Sequence, residues 1–327
     1  MAQTIYQIAV GFMQAKHLFV ANQVGLFEAL SDGPAALDDL ARSLGLPRRT
    51  TRIVADAMTA LGLLESNEGK YQNSALATRY LGRKPAVDLR PLLQFWNQIS
   101  YPHWVGLEEA VRGSGEPAGS RPYSPEEQKL FAQGIEAFYA GIADVLAARY
   151  DFSRHQHVLD LGGGTGAYLK ALLLRYPGLQ CTLFETPTVA RAAEERLAAT
   201  PFAEKIGIVK GDFFTDDLPE GYDAFLMANI VDLFRPQRNL ELLSRVHERA
   251  PQGARLLILD LLWTNAAHTQ PAFAALMEGE FLLLARESYI YSTAEVREWL
   301  RQTGWEFVHQ DEGLPGPNTL IVAEAAS

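Results

Sequence analysis

The residues with the clearest chemical content lie in four short runs: Asp160-Leu161-Gly162-Gly163-Gly164-Thr165-Gly166, Glu185 at the end of CTLFE, Gly211-Asp212-Phe213-Phe214, and Asn229-Ile230-Val231-Asp232. The first run closes the hydrophobic stretch HVLDL and opens a helix, so its backbone N–H groups and the positive helix end face a ligand site. Gly162, Gly164 and Ala167 formally satisfy G-x-G-x-x-G/A, the dinucleotide fingerprint. Asp160 argues against a dinucleotide, because a carboxylate two residues before the first glycine would face a pyrophosphate that needs that helix end uncompensated. It suits a ligand with a cationic amino group there and no phosphate. S-adenosylmethionine is such a ligand, carrying an ammonium and a cationic sulfonium. Glu185, about 20 residues past the loop, is placed to accept hydrogen bonds from ribose hydroxyls. Asp212 is placed to take the adenine amino group, and Phe213 to stack on the ring. Asp160, the loop glycines Gly162, Gly164 and Gly166, Glu185, Asp212 and Phe213 together predict S-adenosylmethionine as the cofactor.

The elements that must position these residues read as an alternation. From about residue 154, HVLDLG, CTLFE, IGIVKGD, AFLMANI and RLLILDLL alternate with helical stretches through YLKALLLRY, VARAAEERLAA and QRNLELLSRVHERA. Short apolar runs that alternate with amphipathic helices specify an α/β fold, a parallel sheet with helices on both faces. The last two strands, WEFVHQ and TLIVAEA, are joined only by a Gly- and Pro-rich loop, which predicts an antiparallel pair at or near one edge.

Residues 1–90 read as helical. Ile8, Phe12, Ala15, Leu18, Phe19 and Leu26 recur at helical spacing, so one helix is expected up to the Ser31-Asp32-Gly33-Pro34 turn. LDDLARSLGLP and RRTTRIVADAMTALGLLE then give two helices broken at Gly45-Leu46-Pro47, and ESNEGKYQNS gives a β-wing, a winged-helix arrangement. Arg48, Arg49 and Arg52 could open a DNA recognition helix, but Asp38, Asp39, Asp56, Glu65 and Glu68 leave the segment near neutral, short of a basic footprint. A packing or dimerisation module is the favoured reading. Residues 113–123 form a loop with three Gly and two Pro, after which Ser124 caps a helix running to about Tyr150. Phe131, Ile135, Phe138, Ile142 and Val145 share one face of that helix, either packing on a core or walling a pocket. The domains expected are 1–90 for dimerisation, 91–150 as a helical linker to the substrate pocket, and 151–327 for the cofactor.

The 327 residues carry a net charge of −10, which argues against binding phosphate backbones or anionic membranes. The single cysteine forms no intramolecular disulfide, and no Cys/His cluster has zinc spacing, so no metal is expected. The N-terminal stretch is interrupted by Gln, Lys, His and Asn before it reaches the roughly 18 apolar residues of a membrane span. A reducing, cytoplasmic setting follows.

DLGGGTG, the acidic residue before Pro187 in FETP, GDFF, the segment MANIVDLFRPQRNLELL and the winged-helix start together resemble the small-molecule O-methyltransferases among the class I methyltransferases, of the acetylserotonin, caffeic acid and bacterial polyketide type. The resemblance covers nearly the whole chain. It implies a Rossmann-like methyltransferase sheet with an N-terminal dimerisation domain, a homodimer, and an aromatic or polyketide-like small molecule as methyl acceptor. It adds Asn229 to the cofactor-binding set and makes Asp260, at the end of RLLILD, a support for the catalytic group. In that family the segment after the fourth strand reads like N-x-L-H-D-W, with the histidine as general base; here Asp232 occupies its position.

A carboxylate with an ordinary pKa near 3.9 is a poor base for a phenol unless burial or a like charge raises it. Three readings stand. Asp232 is the base, helped by a nearby Asp260; or the nucleophile is a carbon or nitrogen that needs no strong base, and catalysis rests on proximity; or Asp232 only caps the helix that starts near Pro236. Tyr139 is a second proton-transfer candidate. His103, in YPHW, is exposed or pocket-lining and is the replacement base if the N-terminal half closes over the site. Met277, Phe281 and Leu284 match the family's acceptor-wall region or are core packing, the helix face of Phe131 and Ile135 packs on a core or walls the pocket, and apolar walls favour a flat aromatic acceptor.

Overall fold

The computed structural model describes residues 2–113, 123–265, 267–284, 289–311 and 318–326, so most of the loop expected over 113–123 lies outside the described residues. The chain divides into two compact units, residues 1–105 with 121–141, and residues 106–120 with 142–327.

The first unit begins with three helices where the sequence suggests one: Ala2–Ala9, Gly11–Gln23 and Leu26–Ala29. The second break falls at Gly25, whose φ of 77° lies in the left-handed region that ends helices and suits glycine. Phe19, Leu26 and Phe27 enter the core, whereas Ile5, Ile8 and Phe12 stay exposed. Helices Leu37–Leu44 and Arg48–Ala60 meet at Gly45, again left-handed, as the Gly-Leu-Pro break predicts. The helical unit also carries a three-stranded antiparallel sheet in the order β1 (Ala35–Ala36), β3 (Lys70–Asn73), β2 (Leu64–Asn67). Glu68 and Gly69, both with positive φ, form the tip of the wing.

The second unit is a seven-stranded sheet. The strands are β4 (His157–Leu161), β5 (Gln180–Glu185), β6 (Ile206–Lys210), β7 (Ala224–Ala228), β8 (Arg255–Asp260), β9 (Trp305–Asp311) and β10 (Thr319–Ala325). Their order is β6-β5-β4-β7-β8-β10-β9, parallel from β6 to β8, with β10 antiparallel to both neighbours and β9 at the edge. Every residue of β7 is buried, as expected of a strand covered on both faces. The strand order turns back at β4, so β4 and β7 flank the crevice at their carboxyl ends where open α/β sheets hold ligands.

Helix Pro125–Arg149 opens with the expected cap: Ser124 Oγ accepts from Glu127 N–H at 3.2 Å, and Glu127 Oε2 accepts from Ser124 N–H at 2.8 Å. Among the described residues it is the one helix long and apolar enough to cross a membrane by length and composition. It buries Ile142, Ala143, Leu146 and Ala147 inside the fold.

Candidate active site

Asp160 sits fourth in β4, fully buried, and neither carboxylate oxygen has a hydrogen-bond partner among the described residues. Burial first, and then the charge of Glu185, pushes its pKa up to about 8. An unpaired buried carboxylate is costly unless it is neutralised, so this position favours either a proton or an incoming cation. A side chain on Gly163 would collide with the Asp160 carboxylate, which reserves that space for backbone.

The glycine turn follows. Gly162 has φ 74°, and a Cβ there would lie 2.5 Å from Ile230 Cδ1 and 3.0 Å from Phe213 Cζ. Glycine is therefore required by both conformation and space. Gly162 N–H donates to the Phe184 carbonyl at 2.9 Å, which ties the turn to β5. Gly166 is the left-handed N-cap of helix Ala167–Arg175.

Glu185, the last residue of β5, is almost fully buried and accepts from Gly164 N–H at 3.1 Å and Thr186 N–H at 2.8 Å. Burial raises its pKa, and the two backbone bonds oppose that shift. After β6, Asp212 is exposed; its Oδ1 accepts from Phe214 N–H at 2.8 Å. Phe213 stacks on Phe184 at 5.8 Å and meets Phe234 edge-on at 6.4 Å, so an aromatic wall stands beside the glycine turn.

These residues fit S-adenosylmethionine. Asp160 offers two orphaned carboxylate oxygens where a cation is wanted, the glycine turn leaves room for close backbone approach, and Phe213 presents a ring next to Gly162.

At the carboxyl end of β7, Asn229 takes φ 56° and the chain enters a 3-10 turn, Val231–Leu233, containing Asp232. Buried Asp260, at the end of β8, holds this turn: its Oδ2 accepts from Val231 N–H at 3.0 Å and Asp232 N–H at 3.4 Å, and its Oδ1 from Leu261 N–H at 2.7 Å. Burial and then the charge of Asp232 raise the Asp260 pKa well above the usual carboxylate range; the three N–H bonds oppose that rise. The two carboxylates thus interact. Asn239 Nδ2 donates to the Val231 and Phe234 carbonyls at 3.0 and 3.1 Å, and the Tyr291 hydroxyl donates to Phe234 O at 2.8 Å. The capping reading of Asp232 fails: helix Pro236–Arg249 has Arg235 as its N-cap, with no side-chain cap bond.

Met277 and Phe281 lie half-buried on helix Ala272–Leu283, with Met277 packed on a cluster of Leu261, Trp263 and Ala274. His103, Phe131, Ile135 and Tyr139 belong to the first unit. There Phe131 meets Phe95 edge-on at 5.4 Å, Ile135 packs on the same cluster, and Tyr139 neighbours Phe138 at 5.9 Å. His103 Nδ1 is buried and finds no hydrogen-bond partner among the described residues. Asn239 and Tyr168, which bonds Asn229, are absent from the sequence reading. For Asn239 a signal exists, a polar residue on the apolar stripe of Leu242, Leu243 and Val246.

Comparison with known proteins agrees with this geometry. The O-methyltransferase domain family matches residues 92–306, and the O-methyltransferase dimerisation domain family matches residues 6–83. The chain is 33% identical, over 98% of its length and 94% of the relative's, to 3-hydroxy-5-methyl-1-naphthoate 3-O-methyltransferase from Streptomyces sahachiroi. It is 30% identical, over 98% of its length and 96% of the relative's, to the N,N-dimethyltransferase OxyT from Streptomyces rimosus. The crystal structure of human N-acetylserotonin methyltransferase in complex with S-adenosylmethionine superposes with a TM-score of 0.78 at 25% identity, covering 100% of this chain and 98% of that one. The orphaned Asp160, the glycine turn beside Phe213 and the family matches lead to one assignment: the chain belongs to the O-methyltransferase family and is an S-adenosylmethionine-dependent methyltransferase.

Proposed function

We propose that this enzyme methylates a hydroxyl of an aromatic or polyketide-like small molecule, with Asp232 as the proton acceptor. The observation that carries the reading is the carboxylate pair: Asp260 is buried, accepts two backbone N–H bonds that fix the Asp232 turn and a third from Leu261, and interacts electrostatically with Asp232.

When bound, S-adenosylmethionine supplies a methyl group on a positively charged sulfur, which is transferred to a nucleophile by in-line displacement. Asp160 would hold the cationic amino group, Glu185 and Asp212 would accept hydrogen bonds from the ribose and adenine, and Phe213 would stack on the base. Gly162, Gly164 and Gly166 would allow the backbone to approach, and Asn229 would complete the cofactor set from the end of β7. Asp232 takes the acceptor's hydroxyl proton as that oxygen is methylated, and the carboxyl then returns the proton to water. Asp260 supports Asp232 by making a second negative charge nearby costly, which strengthens a carboxylate as a base. Met277 and Phe281 of the second unit, and Phe131, Ile135 and His103 of the first, are each assigned to acceptor binding, with Tyr139 as a further proton-transfer group. Residues 1–90 pair two copies in a homodimer, 91–150 shape the acceptor pocket, and 151–327 carry cofactor and chemistry. The enzyme works in the cytoplasm, without nucleic acid or a membrane surface.

A second reading, transfer to nitrogen, is favoured by the absence of an imidazole at position 232 and by the N,N-dimethyltransferase relative, because a neutral amine needs no base before attack. Incubation with methyl-labelled S-adenosylmethionine and a panel of hydroxynaphthoates, polyketide phenols and aromatic amines tests both. Methoxy products support the hydroxyl reading, and N-methyl products alone support the second.

A further inference from the structure

One polar chain, buried at both ends and half-buried at its centre, crosses the second unit and belongs to neither carboxylate cluster. Asn318 Nδ2 donates to Asn229 Oδ1 at 2.7 Å, and Asn229 Nδ2 donates to the Tyr168 hydroxyl at 2.7 Å. The two bonds span 89 and 61 positions of sequence, so both are tertiary.

Each member sits on a different part of the site. Tyr168 is the second residue of the helix that Gly166 opens, and it is 3% exposed. Asn229 directly follows β7 in the left-handed conformation, which asparagine tolerates better than most residues, and Asp232 comes three residues later. Asn318 is buried and immediately precedes Thr319, the residue of β10 that pairs with Asp260. A single amide therefore touches the element that carries the cofactor loop, the turn that carries Asp232 and the strand beside Asp260.

We propose that Tyr168, Asn229 and Asn318 form a hydrogen-bonded strut that sets the spacing between the glycine loop and the Asp232 turn, and that they act as positioning residues for methyl transfer. The proposal rests on the reading of those two loops as the site of transfer. In-line displacement is steeply sensitive to the alignment of nucleophile and methyl carbon, and a misplacement of about 1 Å costs on the order of 100-fold in rate. The glycine turn is soft by composition, and the Asp232 turn follows a left-handed residue, so neither loop holds that alignment by local propensity alone.

The test uses the full chain and three variants: Tyr168→Phe, Asn318→Ser and their double. Each single variant is expected to lower kcat about 10- to 100-fold while calorimetry shows cofactor affinity within about threefold of wild type. Amide exchange across residues 230–234 is expected to accelerate in both, with the thermal midpoint little changed. Because both act through one amide, the double variant is expected to be no worse than the worse single. Unchanged kcat in the singles, multiplicative losses in the double, or a loss that tracks the thermal midpoint would each overturn the strut. If the wild-type enzyme methylates no acceptor, the reading of Asp232 fails, and the exchange measurement still decides: unaltered exchange at 230–234 in Tyr168→Phe and Asn318→Ser refutes the strut by itself.

Discussion

Replacing Asp160 by asparagine separates the cost of this side chain to the fold from its use to the cofactor. In the free protein its pKa rises from 3.8 to about 8 through burial and the Glu185 charge. The folded chain thus binds a proton that the unfolded chain releases. The contribution of Asp160 to stability is fully present below pH 4, is lost as pH rises between about 4 and 8, and is constant above that window. At pH 7 the shift over roughly three pH units corresponds to about 4 kcal/mol at 1.36 kcal/mol per unit, an order-of-magnitude figure. Asp160→Asn removes that dependence but places an amide where the carboxylate has no partners, at about 1–3 kcal/mol. The free variant is therefore expected to be more stable than wild type at pH 7 by about 1–3 kcal/mol, and to show a flatter thermal midpoint between pH 5 and 8. Cofactor binding moves the opposite way. Losing a charge-assisted bond of about 1.5–3 kcal/mol weakens affinity roughly 10- to 150-fold. Thermal unfolding at pH 5, 6, 7 and 8, with and without S-adenosylmethionine, and calorimetry at pH 7 read both effects. Equal cofactor affinity in Asp160→Asn and wild type, or the same fall of stability with pH in both, refutes the reasoning.

Three further predictions concern the loops. Asp232→Asn should lower kcat at pH 7 by about 100-fold or more on a phenolic acceptor with cofactor affinity unchanged, as steady-state kinetics with calorimetry will show. Gly162→Ala forces a Cβ towards Ile230 and Phe213 at a φ of 74°, and should lose about 1–3 kcal/mol of stability by denaturant unfolding together with measurable cofactor binding. Asn239→Ala frees the Val231 and Phe234 carbonyls and should cost about 1–3 kcal/mol of stability, with a larger loss in kcat than in cofactor affinity.

The sheet was legible because its strands are short apolar runs spaced by amphipathic helices, and all seven appear where those runs lie. The β9–β10 pair followed from its short connection, and the glycine turn from its position after HVLDL. A close approach of Asp232 and Asp260 was open in the sequence, and it is the parallel pairing of β7 and β8 that brings their segments side by side. Where local pattern fails, a backbone detail or a distant partner decides. Apolar spacing over residues 8–26 runs straight through Gly25, whose left-handed conformation ends the helix. Asp232 precedes a helix and could cap it, yet Arg235 takes that place and the Asp232 N–H donates to Asp260. Tyr168 and Asn318 carry no signal of their own, since their shared partner lies 61 and 89 residues away and only the folded sheet joins them.

The most direct test is the pH profile of methyl transfer from methyl-labelled S-adenosylmethionine to a panel of aromatic phenols, in wild type and Asp232→Asn, with the labelled position identified by carbon NMR. The account predicts a methoxy product, a wild-type rate that rises with pH as one carboxyl group loses its proton, and the loss of that limb in Asp232→Asn. A label found on carbon or nitrogen alone, or an Asp232→Asn variant with the full wild-type rate and profile, would contradict it.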